Sequence, residues 1–391
     1  MIVALAIALV AQPITLVQAL ARARDASPEM AAARESARAA QAGVDAAGQL
    51  QNPTVGVSVG PDEPTLFGTL DVKLPVLGQR GAAIATAGRE AQAAEAEAQA
   101  RGVALRAQVR RAYAALQAAQ ERAQIAGRAL DLASQIEERT RAKVQTGLAP
   151  QLEAVQAKVA QRKARQERDD RAAALLQARG ELARLIALPD APDLAAADAP
   201  LPLPAPPPLD QLLARVEGHP EVRALLGQQD AALARAHEGR VALLPLPDLS
   251  LELERLSGTN APYLGLRAGI AFDLPVLSWN GGRVRQAQAQ AAAASAQAQA
   301  ALLRLRSELR AGRARWEAAA ARATSYAAEI VPATQQLVQM ARDAWELGRA
   351  PLITLLQAEA ELNGAQAESS DAALAANQAM ADLEEAAGEG L

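Results

Sequence analysis

The chain carries two pairs of strongly alternating segments roughly 200 residues apart, and these decide what it can fold into. In Thr54–Gly60, Val55, Val57 and Val59 alternate with Thr54, Gly56 and Ser58; in Thr69–Leu74, Leu70, Val72 and Leu74 alternate with Thr69, Asp71 and Lys73. The second pair sets Leu249, Leu251 and Leu253 against Asp248, Ser250, Glu252 and Glu254. It then sets Leu264, Leu266, Ala268, Ile270, Phe272 and Leu274 against Gly265, Arg267, Gly269, Ala271 and Asp273. A period of two makes one face of a strand apolar and the other polar. At about 8–11 residues, each segment is near the length of a membrane-barrel strand. The polar faces carry Asp71, Lys73, Asp248, Glu252, Glu254, Arg267 and Asp273. Burying so many charges without water is very costly, and a water-filled lumen would remove that cost. Two solvent-washed hairpins packed on helices are the competing reading, which the alternation taken alone fits better. Phe67, Tyr263, Phe272 and Trp279 lie in or beside the strands, as residues of an interface girdle would.

The strands belong to a duplication. Leu74-Pro75-Val76-Leu77 reappears as Leu274-Pro275-Val276-Leu277, and Ser27-Pro28-Glu29 is echoed by His219-Pro220-Glu221. Each copy continues into a long alanine-rich stretch that ends at a matching turn, Gly147-Leu148-Ala149-Pro150 and Gly348-Arg349-Ala350-Pro351. Glycine suits a helix C-cap and proline the first turn of the next helix, so each turn predicts a hairpin of two long helices. The seams support this. Leu105, Val109, Ala112, Leu116, Ala119, Ala123, Ala126, Leu130 and Ala133 step by four and three, as a coiled-coil seam does. In the second copy Leu305, Leu309, Gly312, Trp316, Ala319, Ala323, Tyr326, Ile330, Ala333, Leu337 and Met340 do the same. Gln79 to about Thr140 would span roughly 90 Å as a helix. Pro332, inside the second long helix, should kink it or locally unwind it.

The expected organisation is a signal segment at 1–11, a first copy at 12–188, a linker at 189–208 and a second copy at 209–391. The strands fall at about 53–60, 66–75, 247–256 and 263–274, and the hairpins at 79–187 and 282–387. Met1–Ala11 resembles the apolar core of a secretory signal but lacks the basic segment before it, as a start misplaced by a few codons would; a buried first helix turn is the competing reading. Pro189–Pro208 is rich in Pro, Ala and Asp and reads as an extended equatorial linker wrapped around the helices.

Composition narrows the function. Aromatic residues make up only 2 % of the chain, too few for a conventional core of this size, whereas alanine suits closely packed helices. There is no cysteine, hence no disulfide, thiolate nucleophile or lipid-anchor cysteine. The net charge of −4 and the scattered basic residues argue against a nucleic-acid partner. No catalytic constellation or phosphate-cradling loop is visible. His219 and His237 lie about five turns apart in the helix after the linker and lack a third ligand, so surface or equatorial positions are expected rather than metal ligation. The reading is a chain that is not an enzyme, needs no cofactor and holds no metal. No run reaches the roughly 18 apolar residues of a spanning helix. If the chain crosses a membrane, it does so as strands. Four strands cannot close a barrel, for which at least about eight are needed. The spanning form is therefore oligomeric, with three copies giving twelve strands and a dimer of eight still open.

Together these pieces resemble the TolC-like outer-membrane efflux family over nearly the whole chain. The most specific stretches are Glu329-Ile330-Val331-Pro332 and Trp345 to Ala358, which look like the family's second periplasmic hairpin. Leu74 to Arg80 and Leu274 to Arg283 look like its strand-to-helix junctions, with Pro75, Gly78, Pro275, Gly281 and Gly282 at the turns. The first junction is nearest the heavy-metal-exporter branch, although the middle Gly and Lys of that branch's Leu-Gly-Gly-Lys-Arg are missing. The resemblance implies a mainly α fold with a small membrane β-barrel contribution. It implies a homotrimer in the outer membrane, with a twelve-strand barrel and a twelve-helix periplasmic tunnel. It implies a passive exit duct for small molecules or metal cations, with a periplasmic adaptor and an inner-membrane pump of the RND type docking at the tips. The tip set is Gly147, Pro150, Glu153, Trp345, Gly348, Arg349, Pro351, Thr354 and Gln357. Trp345 stands where the family has a tyrosine that helps hold the entrance shut, and Glu153 where that tyrosine has its acidic partner. Thr354 and Gln357 stand where the family often carries acidic residues. A latch of Glu153 with Arg349, and of Arg349 over Trp345, is one expectation between the hairpins; the other is that Glu153 and Arg349 are independent solvated charges. The rival class is a soluble or periplasmic coiled-coil scaffold or adaptor, which explains the hairpins but not two pairs of two-faced strands.

Overall fold

A computed structural model describes residues 13–60, 65–188, 191–199, 205–258, 261–272 and 279–388. The expected signal segment, the Pro275 junction and parts of the linker lie outside the described residues. The chain forms two compact units, and each draws on both sequence copies.

The first unit takes in the N-terminal segment to Ala31, Arg101–His219 and Arg304–Leu391. Its elements begin with strand β1 (Pro13–Ile14) and helix α1 (Leu16–Ala26), with the start of α2 (Pro28–Ala47). Most of α3 (Gln79–Gln145) follows, then α4 (Gln151–Leu185), β4 (Ala195–Ala196) and α5 (Leu209–Arg215). The end of α7 (Gly281–Ser325), α8 (Val331–Glu346) and α9 (Leu352–Ala387) complete it. Small side chains let these helices approach closely. Ala19 and Ala23 of α1 pack with Leu105, Val109, Ala112 and Leu116 of α3 and with Leu182, Ala183 and Leu185 of α4. The linker is not without structure: β4 pairs in parallel with β1, and Leu194 joins this core. Tyr113 locks the contact. Its hydroxyl lies 2.9 Å from the Ile14 carbonyl and 2.8 Å from the Asp198 carboxylate. Asp198 also accepts the Leu16 N–H at 2.7 Å, which places a negative charge at the α1 N-terminus. Burial pushes the Tyr113 phenol up to about 12.

Pro332 has the effect expected of it in a defined form. Tyr326–Ile330 is a single π-helical turn, and Pro332 occupies the first turn of α8. Proline lacks an N–H and crowds the carbonyl four residues back, and a wider turn relieves both. His219 departs from expectation. It precedes the helix after the linker and is 4 % exposed, with Nε2 2.8 Å from the Glu385 carbonyl. It is a buried structural residue, because the α9 C-terminus packs over it and supplies a hydrogen-bond partner.

The second unit, Ala32–Ala100 with Pro220–Leu303, holds the remainder of α2. It also holds β2 (Thr54–Gly60), β3 (Thr65–Lys73), α6 (Pro220–Val241), β5 (Pro247–Gly258), β6 (Ala261–Phe272) and the first turns of α3 and α7. Helices α3 and α6 meet at Gly227, where an added Cβ would lie 3.0 Å from Ala93 Cα. Arg235 with Glu90 (2.7 Å) and Arg89 with Asp230 (3.7 Å) flank the contact. The four strands form one antiparallel sheet in the order β2-β3-β5-β6, so the hairpins of the two copies join through β3 and β5.

Candidate functional site

The register sorts every strand residue onto one of two faces. Val55, Leu70, Leu251 and Ala268 lie in one row, Val57, Gly68, Leu253 and Leu266 in the next, and Val72, Leu249 and Ile270 in another. Among the described residues this face has no protein cover: Val55, Val57 and Val59 are each 72 % exposed, and Leu266 is 67 %. An apolar face of this extent needs a non-aqueous neighbour. Its one charged residue among the described side chains is Arg255, opposite Leu66 and Leu264.

The opposite face is polar. Its rows include Thr54, Asp71, Ser250 and Gly269, then Gly56, Thr69, Glu252 and Arg267, with Lys73 opposite Asp248. Arg267 bridges two acids, at 3.2 Å from Glu254 and 3.8 Å from Glu252. Among the described residues of this face, Asp71, Asp248, Glu252 and Glu254 outnumber Lys73 and Arg267, so this part of it is net negative. One expectation fails here. Phe67 pairs with Ser58 and Glu254 and so belongs to the polar face, not to an outward girdle. Phe272 stays on the apolar face and Trp279 is 72 % exposed at the junction; Tyr263 is paired with Leu256. Strands β2 and β6 are each paired on one side only, which leaves the sheet open at both edges.

At the junctions, Pro75 and Gly78 lie between β3 and α3, with Gly78 at φ 95°. Gly281 and Gly282 open α7.

The two helical turns share one construction. Gly147 (φ 75°) and Gly348 (φ 67°) adopt the left-handed conformation that glycine accepts most readily. The next residue closes each turn, with Leu148 N–H donating to the Lys143 carbonyl and Arg349 N–H to the Ala344 carbonyl, both at 2.8 Å. Pro150 and Pro351 occupy the extended N-cap position rather than the first helical turn.

The hairpins meet just before these turns. Lys143 Nζ lies 4.1 Å from the Trp345 ring centroid and donates to the Trp345 carbonyl at 3.3 Å. Arg139 pairs with Glu346 at 2.6 Å. Trp345 is 3 % exposed and packs with Ile136, Ala157, Val338, Leu352 and Leu355. The cation over Trp345 is thus Lys143 and not Arg349. Arg349 is exposed and Glu153 half-buried, and within the chain they form no ion pair among the described residues. Thr354 and Gln357 are both exposed. Burial raises the Glu359 pKa on α9, with Arg342 at 3.2 Å opposing the shift. The sequence alone did not mark Arg139, Lys143 or Glu346 as partners of Trp345, because the partners lie about 200 residues apart and carry no local signal.

Among the described residues, no helix is long and apolar enough to cross a membrane, and no cluster of His, Asp and Glu could hold a metal. The sequence pattern of the outer membrane efflux protein family matches residues 19–188 and 211–389. The chain belongs to that family. Solved structures place this efflux protein in the TolC-like fold. A membrane protein from Pseudomonas aeruginosa aligns with a TM-score of 0.81 at 18 % identity, over 95 % of this chain and 92 % of that one. The outer membrane protein VceC of Vibrio cholerae aligns at 0.75 and 20 % identity, over 96 % of each. The CmeC outer membrane channel of Campylobacter jejuni aligns at 0.76 and 16 % identity, over 96 % and 86 %. A search of curated protein sequences gives no match. Like those folds, this family member joins a largely helical body to a small sheet that a single chain leaves open.

Proposed function

We propose that this efflux protein is the outer-membrane exit duct of a tripartite efflux system, acting as a passive conduit for small molecules or metal cations. The observation that carries the reading is the sheet, with an uncovered apolar face, a charged opposite face and two open edges. Lipid satisfies the first and water the second. Open edges are not viable in hydrocarbon, so neighbouring copies must pair with them. Three copies supply twelve strands, and the trimers implied by the resemblance favour three over two.

The helical turns face the periplasm in this reading and receive an adaptor and an RND-type pump. Lys143 on Trp345 and Arg139 on Glu346 hold the two hairpins of one protomer together and keep the resting tip narrow. Glu153 and Arg349, which form no ion pair among the described residues, act across protomer boundaries. Thr354 and Gln357 provide no charge ring, so cargo preference comes from the pump and adaptor. The test is mass measurement in mild detergent together with planar-bilayer recording. A trimer that conducts supports the reading; a monodisperse, non-conducting monomer that extracts without detergent returns the chain to the scaffold class.

A further inference from the structure

We infer that Arg255 is a binding site for an anionic lipid headgroup of the outer leaflet, gripping its phosphate at the rim of the apolar face. The inference rests on the channel reading, which makes that face lipid-exposed.

Register fixes the level of Arg255. It pairs with Leu264 on β6 and Leu66 on β3, whereas Phe272 marks the other end of the same face, opposite Pro247. Leu264 to Phe272 covers roughly 26 Å along a strand, or roughly 20 Å of membrane depth at a barrel tilt of about 35–45°. That approaches the roughly 25 Å apolar band of a membrane barrel. Arg255 therefore sits at one boundary of the band and not in its middle. The strand ends joined to α3 and α7 lie at the Phe272 end, because β3 and β6 both run towards those helices. On the channel reading the helices are periplasmic, so the Arg255 end is the outer one.

Among the described residues, nothing neutralises Arg255. Its cross-strand neighbours are leucines, and Leu253 precedes it on the same face. No described residue of that face carries a negative charge, and Arg255 forms no ion pair among the described residues. The acids of β5, Glu252 and Glu254, lie on the opposite face and engage Arg267. A guanidinium among apolar neighbours extends its stem along them and carries its charge to the polar boundary. The anions at that boundary are headgroup phosphates, which a guanidinium binds through two parallel hydrogen bonds. Threefold assembly would repeat the site three times around the barrel.

The test uses the full-length trimer in neutral detergent, titrated with diphosphoryl lipid A and with dephosphorylated lipid A, and read by native mass spectrometry. The wild type should retain up to about three diphosphoryl lipid A molecules per trimer and few dephosphorylated ones. Arg255→Gln should retain at least about fivefold fewer, and Arg255→Lys an intermediate number because it keeps the charge but not the fork. Equal retention by wild type and Arg255→Gln, or equal retention of the two lipids, overturns the inference. Bilayer recording on the same samples separates the two failures. Conducting trimers with indifferent lipid retention remove only the lipid site, whereas a wild type that neither trimerises nor conducts removes the channel reading and the site with it.

Discussion

Tyr113 lies in the core shared by α1, α3 and α4, where its hydroxyl meets the Ile14 carbonyl and the Asp198 carboxylate. Burial raises its pKa to about 12 from the ordinary 10. The sign follows directly. Below pH 10 the phenol is neutral folded or unfolded, and its contribution is complete. Between pH 10 and about 12 the unfolded chain ionises while the folded one does not, so stability is lost as pH rises. At roughly 1.4 kcal/mol per unit this loss is about 2–3 kcal/mol. Tyr113→Phe should lower stability by about 1–2 kcal/mol at pH 8 through the lost hydrogen bonds. It should also flatten the fall in melting temperature between pH 10 and 12 relative to wild type. A variant that keeps the wild-type alkaline slope would assign that slope to another group. None of this was legible in the sequence, where Tyr113 lies beside the Ala112 seam position and its partners sit about 100 and 85 residues away.

At the scale of elements, the hairpin contact near the turns is the testable device. A cation over a buried indole is worth about 1–2 kcal/mol, and the exposed Arg139–Glu346 pair about 0.5 kcal/mol. Lys143→Ala should therefore widen the resting tip more than Arg139→Ala does. In planar bilayers single-channel conductance should rise in the order wild type, Arg139→Ala, Lys143→Ala. Glu153→Ala and Arg349→Ala should raise it only if the inter-protomer pair exists. Unchanged conductance in Lys143→Ala would remove the intra-protomer latch. What sequence could show of these elements follows their periodicity. Alternation exposes both strand pairs because it is local, and Phe67 belongs to the polar set by the same parity as Thr69 and Asp71. The joining of β3 to β5, a contact between the two copies, has no periodic signature. Pro332 announced a disturbed helix, but whether the chain would bend or insert a π turn depends on the packing of α8 against α9.

At the scale of the whole molecule, the channel reading makes one demand of the apolar sheet face, that it meet lipid. Val57→Lys puts a charge in the middle of that face, where the cost in a barrel is about 2–4 kcal/mol. Repeated three times, it should sharply reduce the trimer recovered from outer membranes, whereas Ser58→Lys, one residue on and on the polar face, should not. Similar recovery of both variants would mean that the sheet does not face hydrocarbon. The open edges of β2 and β6 have a further consequence, for biogenesis. On the channel reading, a protomer that has crossed the inner membrane but not yet met its partners carries two unpaired strand edges beside a bare apolar face, the combination that templates aggregation. Its hazardous stage is therefore transit, and the hazard grows with the concentration of solitary chains. Synthesis that outpaces assembly should leave misassembled chains in the periplasm, with no slow accumulation of folded monomers.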